Sequence, residues 1–140
     1  MRKTVLSTNG PAAIGPYSHA VWSGKLLYLS GQTPIDPSTG KLIEGDVHAQ
    51  TLQAFANLEA VLGDAGVTMA DVIKCNVYLT DMKDFPEMNR AYESRFTKPF
   101  PARTTVAVAG LPLGARVEIE LVAKKPKKVK SPRSAGPRPK

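Results

Sequence analysis

Three polar side chains occupy positions at which the sequence restrains the backbone, and together they have the chemistry to bind and hydrolyse a small acid. The first is Arg103, which follows "FPA" and precedes the apolar run "TTVAVA", so a permanent charge lies at the mouth of a strand. Pro99 and Pro101 restrict the backbone before it. A guanidinium held in one place pairs with a carboxylate through two parallel hydrogen bonds. A surface salt bridge is the alternative role for this arginine.

The second side chain is Glu118 in "RVEIELVA", a strand in which apolar residues alternate with Glu118 and Glu120. If this strand forms a hairpin with residues 103–109, Glu118 lies opposite Ala107 and on the same face as Arg103. This register predicts a cation that binds an acid and, beside it, a carboxylate that activates water. An exposed strand glutamate without a role is the alternative.

The third side chain is Tyr17, which ends "NGPAAIGPY", a stretch that two prolines and two glycines restrict to extended and turn conformations. Its phenol can donate a hydrogen bond to a ligand, and packing is the alternative. Cys75 alternates with apolar residues and is predicted to lie in the core. His19 and His48 have no partner at a useful spacing, so both are predicted on polar faces.

Several classes of chemistry receive no support from the sequence. With one cysteine and no Cys/His cluster at metal-ligand spacing, neither an intrachain disulfide nor a zinc site is expected. A Gly-rich phosphate loop and a Ser/His/Asp set are also missing, so the sequence supports neither phosphoryl transfer nor hydrolysis by a catalytic triad. The start "MRKTVLSTNG" lacks the apolar run of a signal peptide, and no long apolar stretch follows. We therefore expect an intracellular, cytoplasmic protein.

The elements that must position these side chains alternate between strand and helix patterns. An extended start and a hairpin at Ser23-Gly24 come first, and the second hairpin strand ends at "SGQTP", where Gly31 indicates either a turn or a close approach of the backbone to another group. A loop over 32–45 that contains "DPSTG" then precedes a helix over 46–66. A strand over 71–80, with Ile73 and Cys75 facing inward, a helix over 85–96 and two final strands complete the order β-β-β-α-β-α-β-β. The prediction is an α+β domain with both helices on one face of a mixed sheet and another subunit against the other face.

The charge of the chain is divided unevenly, which defines two regions, 1–123 and 124–140. Residues 124–140 contain eight Lys/Arg and no acid, whereas residues 1–123 contain eleven basic and twelve acidic residues. With four prolines and little apolar content, the tail is predicted to be disordered. Either it is a solvated, solubilising segment or it binds a nucleic acid or another anionic surface through salt-sensitive contacts.

Five segments in order resemble the RidA/YjgF family of reactive-intermediate deaminases, and they cover nearly all of residues 3–123. They are "PAAIGPYS", "LYLSGQTPIDPSTG", "QTLQAFANLEAVLGDAG", "VIKCNVYLTDMKDFPEMNRAYESRF" and "FPARTTVAVAGLPLGARVEIELVA". The resemblance implies a chorismate-mutase-like fold and a homotrimer with clefts between subunits. It also implies cofactor-free hydrolysis of 2-imino acids, such as 2-iminobutanoate and 2-iminopropanoate, to 2-keto acids and ammonia.

Residue roles follow from the same resemblance. Arg103 matches the substrate-carboxylate arginine, Glu118 the water-positioning glutamate and Tyr17 a cleft tyrosine that the neighbouring subunit supplies. Further cleft positions match Ser30, Gly31, Asn89 and Thr105, the last where many members carry cysteine and where a main-chain contact is implied. Because members of this family have been linked to RNA cleavage and translation inhibition, a nucleic-acid-binding protein is the competing hypothesis, and a catalytically inactive ligand sensor is a third.

Overall fold

A computed structural model describes residues 2–126, which form a six-stranded mixed sheet with two helices packed against one face. The strands are β1 (Lys3–Val5), β2 (Ala20–Ser23), β3 (Leu26–Gln32), β6 (Val72–Leu79), β7 (Ala102–Ala107) and β8 (Val117–Lys124). Their order across the sheet is β1-β2-β3-β8-β6-β7. A short hairpin, β4 (Ile35–Asp36) and β5 (Lys41–Leu42), interrupts the segment predicted as a loop.

The two helices are α1 (Val47–Asp64) and α2 (Phe85–Ser94), and both begin where the sequence predicts. The Asp46 carboxylate accepts the Ala49 N–H at 2.9 Å, which satisfies a donor at the helix start that would otherwise be unpaired. The apolar side of α1 packs against β3, β8 and α2, and its Phe55, Leu58 and Leu62 are fully buried. Helix α2 ends two residues earlier than predicted.

Strand β8 occupies the centre of the sheet, which corrects the predicted pairing of the last two strands. It runs antiparallel to both β3 and β6, whereas β7 pairs only with β6, in parallel. The inward side chains of β8, from Val117 to Ala123, are all buried, so burial is greatest when this strand has a neighbour on each side. Glu118 consequently pairs with Tyr78 and not with Ala107.

This pairing also places Arg103 and Glu118 on opposite faces of the sheet. Paired residues on adjacent strands point to the same side, and Arg103 pairs with Cys75, which is buried beneath the helices. Glu118 shares its row with Tyr78 and Val106, on the face that no helix covers. The expectation that both charges lie on one face was therefore wrong.

Two further expectations about inward-facing residues differ from the structure. A register shift between Val72 and Lys74 turns Ile73 outward, where it is 44% exposed, while Cys75 is buried as predicted. His19 is buried rather than on a polar face. No helix among residues 2–126 is long and apolar enough to cross a membrane.

The boundary predicted at residue 124 lies close to the end of the sheet. Strand β8 includes Lys124, and the Lys125 N–H donates to the Lys25 carbonyl at 2.7 Å. The disorder predicted for the rest of the tail concerns residues outside the described range.

Candidate active site

Arg103 is fixed on the helix-covered face by residues from α2. Its Nη1 donates to Asn89 Oδ1 at 2.7 Å, and its guanidinium carbon lies 4.6 Å from the Tyr92 ring centre and 5.5 Å from that of Phe85. Positions 85, 89 and 92 recur at helical spacing, so one side of α2 supplies all three contacts. A guanidinium stacked on aromatic rings retains its planar donors for a ligand.

A cavity of about 300 Å³ opens beside this guanidinium. It is lined by Asn89, Tyr92, Glu93, Phe100, Pro101 and Arg103. We call Asn89, Tyr92, Phe100 and Arg103 the arginine half-site. A cation beside aromatic and proline surface suits a small carboxylate with an apolar substituent.

Thr105 and Cys75 lie on the same side of the sheet as the arginine half-site. Thr105 pairs with Val77, and its hydroxyl oxygen is buried without a hydrogen-bond partner among the described residues. Burial raises the pKa of the Cys75 thiol to about 11. Cys75 is therefore a protonated core residue near neutral pH and a poor nucleophile.

Glu118 lies on the open face, against the backbone of Gly31. A Cβ at position 31 would overlap the Glu118 carboxylate and come within 2.9 Å of its Cδ, so only glycine leaves room for this side chain. The β3–β8 pairing shifts register between Leu29 and Gln32, and Gly31 lies within that irregularity. The sequence indicated that the backbone at Gly31 approaches something closely, and the partner is Glu118.

A second cavity, of about 170 Å³, surrounds this carboxylate. Its lining includes Tyr17, Gly31, Leu113 and Glu118, which we call the glutamate half-site. Burial raises the pKa of Glu118, and the negative charge of Glu120, two residues along the same face, raises it further. A carboxylate with a raised pKa is a stronger base once it is ionised, which suits activation of water.

Glu120 is itself held by hydrogen bonds from β6. The Tyr78 hydroxyl and the Asn76 side-chain amide, at 3.2 Å, both donate to Glu120 Oε1. The bond to Glu120 raises the pKa of Tyr78 to about 12. These contacts fix the negative charge that acts on Glu118.

The segment that carries Tyr17 is anchored by a buried histidine. His19 Nε2 donates to the Pro11 carbonyl at 2.8 Å, and His19 Nδ1 accepts the Ser7 N–H at 2.9 Å. The Ser30 hydroxyl donates to the Ser18 carbonyl at 2.7 Å. Ser30 thus holds this segment, and Tyr17 lies at the cavity of Glu118 with 45% of its surface exposed.

The two cavities are separate, because Arg103 lines the first and Glu118 lines the second. The structure brings Asn89 to Arg103, and Tyr17 and Gly31 to Glu118, but it leaves the two groups apart in one chain. Within residues 2–126 no group of His, Cys, Asp and Glu is arranged as a metal site. No cation is among the described residues that line the glutamate cavity, and the carboxylate that lines the arginine cavity is Glu93, not Glu118.

Sequence reasoning missed the aromatic contacts of Arg103, the anchoring role of His19 and the presence of Leu113 at the glutamate half-site. The helical spacing of Phe85, Asn89 and Tyr92 was available as a signal for the first of these. His19 carried no such signal, because its partners are backbone groups brought together by the fold.

Comparison with known proteins places the chain in a family. A family model described as Endoribonuclease L-PSP matches residues 7–125. The 2-iminobutanoate/2-iminopropanoate deaminase of Mus musculus is 46% identical over 123 residues, which are 88% of this chain and 91% of that protein. The chain belongs to the RidA/YjgF family of L-PSP proteins.

Solved structures and other relatives agree with this membership. The crystal structure of RidA from the Antarctic bacterium Psychrobacter sp. PAMC 21119 has a TM-score of 0.84 at 43% identity, covering 87% of this chain and 98% of that one. A RutC family protein of Pyrococcus horikoshii is 45% identical over 125 residues, 89% of this chain and 99% of its own length. The predicted family and α+β fold class are thus confirmed, and the family match covers residues 7–125.

Proposed function

We propose that this protein hydrolyses reactive 2-imino acids, 2-iminobutanoate and 2-iminopropanoate among them, to 2-keto acids and ammonia. The observation that carries this proposal is the pair of half-sites, one with a fixed guanidinium and one with a carboxylate at a shaped cavity. A 2-imino acid offers a carboxylate to the first and an electrophilic C=N carbon to water at the second. Relatives named as deaminases, which are 46% and 44% identical to this chain, support the substrate class.

In this proposal the arginine half-site binds and orients the substrate. The guanidinium of Arg103 pairs with the substrate carboxylate, while Asn89 and the rings beneath prevent the side chain from rotating away. Main-chain groups at Thr105 are suited to add a hydrogen bond to the same carboxylate. Orientation supplies most of the rate gain, because the protonated imine is already electrophilic.

Glu118 then directs the attacking water. As the water oxygen bonds to C2, the π electrons of C=N move to nitrogen, and the Glu118 carboxylate accepts a proton from the water. Protonated Glu118 then gives its proton to the carbinolamine nitrogen, and the carboxylate accepts the hydroxyl proton as the C2–N bond breaks, which releases the 2-keto acid and ammonia. Tyr17 is placed to donate a hydrogen bond to the reacting groups.

Completion of the site requires a second copy of the chain. Arg103 lies on β7, the edge strand of the sheet, and Glu118 lies on the uncovered face, so both are accessible to a neighbouring subunit. A homotrimer with one site at each interface, as the family resemblance implies, joins the arginine half-site of one copy to the glutamate half-site of the next. No cofactor takes part in this scheme.

The test is ammonia release from 2-iminobutanoate generated in situ by a threonine dehydratase. Arg103→Ala should lower kcat/KM at least about a hundredfold, because the substrate carboxylate loses a desolvated charged partner. Arg90→Ala is the matched control: Arg90 is an exposed arginine of α2 that pairs with Glu87 at 2.8 Å and lines neither cavity. Wild-type turnover by Arg103→Ala would show that Arg103 is not the carboxylate ligand.

A second candidate function, binding of duplex nucleic acid, is favoured by the location of the basic charge. Exposed Lys3, Lys25, Lys124 and Lys125 lie at one end of the sheet, since β1 and β8 flank the turn that contains Lys25. Among residues 2–126 the salt bridges are Arg90–Glu87 and Arg116–Asp84, so these lysines pair with no carboxylate there. The tail continues from this end with six more cations in residues 127–140.

The sequence of the tail favours contact with phosphates over reading of bases. Residues 124–140 include no aromatic side chain, so nothing in them can stack on an exposed base. Replacing the six cations of residues 127–140 by glutamine should flatten the dependence of log Kobs on log salt by up to about 5. Replacing the tail prolines by alanine preserves the charge and should leave that slope unchanged. Binding of duplex by the neutralised chain as tight as that of the wild type would contradict this function, and so would tighter binding to anionic vesicles than to duplex. Ammonia release should be the same in both tail variants as in the wild type.

A further inference from the structure

We infer that Leu113 and Ile14 form an aliphatic specificity wall that favours 2-imino acids with larger aliphatic side chains over 2-iminopropanoate. This inference rests on the proposed function and assigns the side-chain pocket of the same site. It starts from the glutamate half-site, where Leu113 and Ile14 line the cavity around Glu118.

Both residues are exposed to a degree that folding does not explain. Ile14 is 76% exposed and Leu113 is 59% exposed in the chain. Large apolar side chains that are clustered at a cavity and left in water are a common mark of a ligand-binding surface. A third exposed apolar side chain, that of Tyr17, lines the same cavity.

The backbone at Leu113 adds an independent observation. Its φ of 60° and ψ of 15° lie in the left-handed region, which glycine and asparagine tolerate and which is unfavourable for leucine. The next residue, Gly114, has a φ of 76° and carries no such cost. A strained residue that buries little of its own side chain contributes nothing to folding, so its side chain is expected to serve the site.

The composition of the cavity defines the chemical class of the substrate side chain. Its lining residues are Pro11, Ala12, Ile14, Tyr17, Gly31, Gln32, Thr33, Ile35, Pro112, Leu113 and Glu118. Among these described residues Glu118 alone carries a charge, so an acidic substrate side chain would meet repulsion without a compensating cation. An aliphatic side chain instead removes the exposed surface of Leu113 and Ile14 from water.

The geometry of the reaction directs the side chain into this cavity. When the carboxylate of a 2-imino acid is bound by Arg103 of one copy and C2 faces water at Glu118 of the other, the imino nitrogen and the side chain both point away from the arginine, and of these two the side chain is the apolar group that matches Ile14 and Leu113. At about 170 Å³ the cavity accommodates aliphatic chains the size of those of methionine or leucine. Alanine-derived 2-iminopropanoate has only a methyl group and barely reaches the wall.

The test is the ratio of kcat/KM for the leucine-derived imine to that for the alanine-derived imine, each produced by an amino-acid oxidase and corrected for spontaneous hydrolysis. Leu113→Asn should lower this ratio about tenfold, since it loses the apolar contact of several methylene-sized groups. It should also raise Tm by a few degrees, because asparagine tolerates the left-handed backbone. Leu113→Met keeps an apolar wall and should retain the ratio.

Leu6→Asn is the matched control, because Leu6 is another exposed leucine, at 71%, and lies outside the cavity lining. Its ratio should equal that of the wild type. An unchanged ratio in Leu113→Asn, or dissociation of its assembly in sedimentation, would overturn the inference; the second result would make Leu113 a subunit contact. If the wild type releases no ammonia, the proposed function fails. The role of Leu113 is then decided by calorimetry: the wild type should bind 4-methyl-2-oxopentanoate more tightly than pyruvate, and Leu113→Asn should lose this difference.

Discussion

The two half-sites differ in how the fold holds the charge. On the helix-covered face, side chains of α2 fix Arg103 from outside the sheet, since Asn89 accepts its hydrogen bond and the Tyr92 ring lies beneath the guanidinium. On the open face, the backbone of the sheet itself holds Glu118, which lies across Gly31 in an irregular part of the β3–β8 pairing. The long side chain of Arg103 is thus held by side chains of a helix, whereas the shorter side chain of Glu118 is held by the backbone of the sheet.

The difference suggests a division of labour. The arginine half-site is built for affinity, since a stacked guanidinium binds any small carboxylate of suitable shape. The glutamate half-site is built for chemistry, since burial and the charge of Glu120 raise the pKa of Glu118. Changes at the two sites should therefore produce different kinetic signatures.

Gly31→Ala should produce the largest effect on the open face. The added methyl group overlaps the Glu118 carboxylate and must displace it, since the three atoms nearest to that methyl group all belong to Glu118. Displacement of a reacting group by about an ångström costs about a hundredfold in kcat. Steady-state kinetics should show this loss with KM nearly constant.

Gly63→Ala provides the control for that substitution. Gly63 lies in α1, and a Cβ there meets no atom within 4 Å, so activity should equal that of the wild type. A kcat for Gly31→Ala within a factor of about two of the wild-type value would show that the backbone at Gly31 does not position Glu118 for the reaction.

Asn89→Ala should produce a smaller effect, of the opposite kinetic type. Arg103 loses one charge-assisted hydrogen bond but keeps its stacking on Tyr92, so the substrate is bound less tightly and KM should rise about tenfold. A loss confined to kcat would show that the arginine half-site takes part in chemistry beyond orientation.

The smallest effect is expected on stability, from Glu118→Gln. Because burial raises the pKa of Glu118 above its ordinary 4.5, the folded protein binds more protons than the unfolded chain between 4.5 and the raised value. The free energy of unfolding therefore falls as pH rises through this window, and the ionised carboxylate destabilises the fold at neutral pH. Urea unfolding should show Glu118→Gln to be the more stable protein at pH 7 and the gain to vanish below about pH 4.

Much of the fold could be predicted because periodicity records burial. The helical spacing of apolar residues around Phe55 and the alternation of Cys75 and Val77 reflect one buried side each, and they gave the element order. The strand pairing was not predictable in the same way. An alternating pattern indicates which residues of a strand face inward but not which strand lies beside it. The sequence therefore favours the strand that precedes Glu118 in the chain as its partner.

The candidate site was predictable in its residue types and not in its geometry. A charge beside prolines at Arg103 and a glycine at Gly31 are local signals, and the structure gives both a physical reason. The outward turn of Ile73 depends on a register shift with β8, and the burial of His19 depends on backbone groups of another segment. Such features arise only when distant parts of the chain meet.

The central claim, that one active site combines Arg103 of one copy with Glu118 of another, is tested most directly by mixing two inactive variants. Arg103→Ala and Glu118→Gln chains, each inactive alone, are unfolded, combined in equal amounts and refolded together. In mixed trimers some interfaces pair the intact arginine of one chain with the intact glutamate of the other.

Random assembly should restore about a quarter of the wild-type ammonia release, because that fraction of interfaces receives both intact half-sites. Separately refolded samples mixed afterwards give the baseline. Activity no higher than this baseline, in trimers shown by mass to contain both variants, would contradict a site shared between subunits.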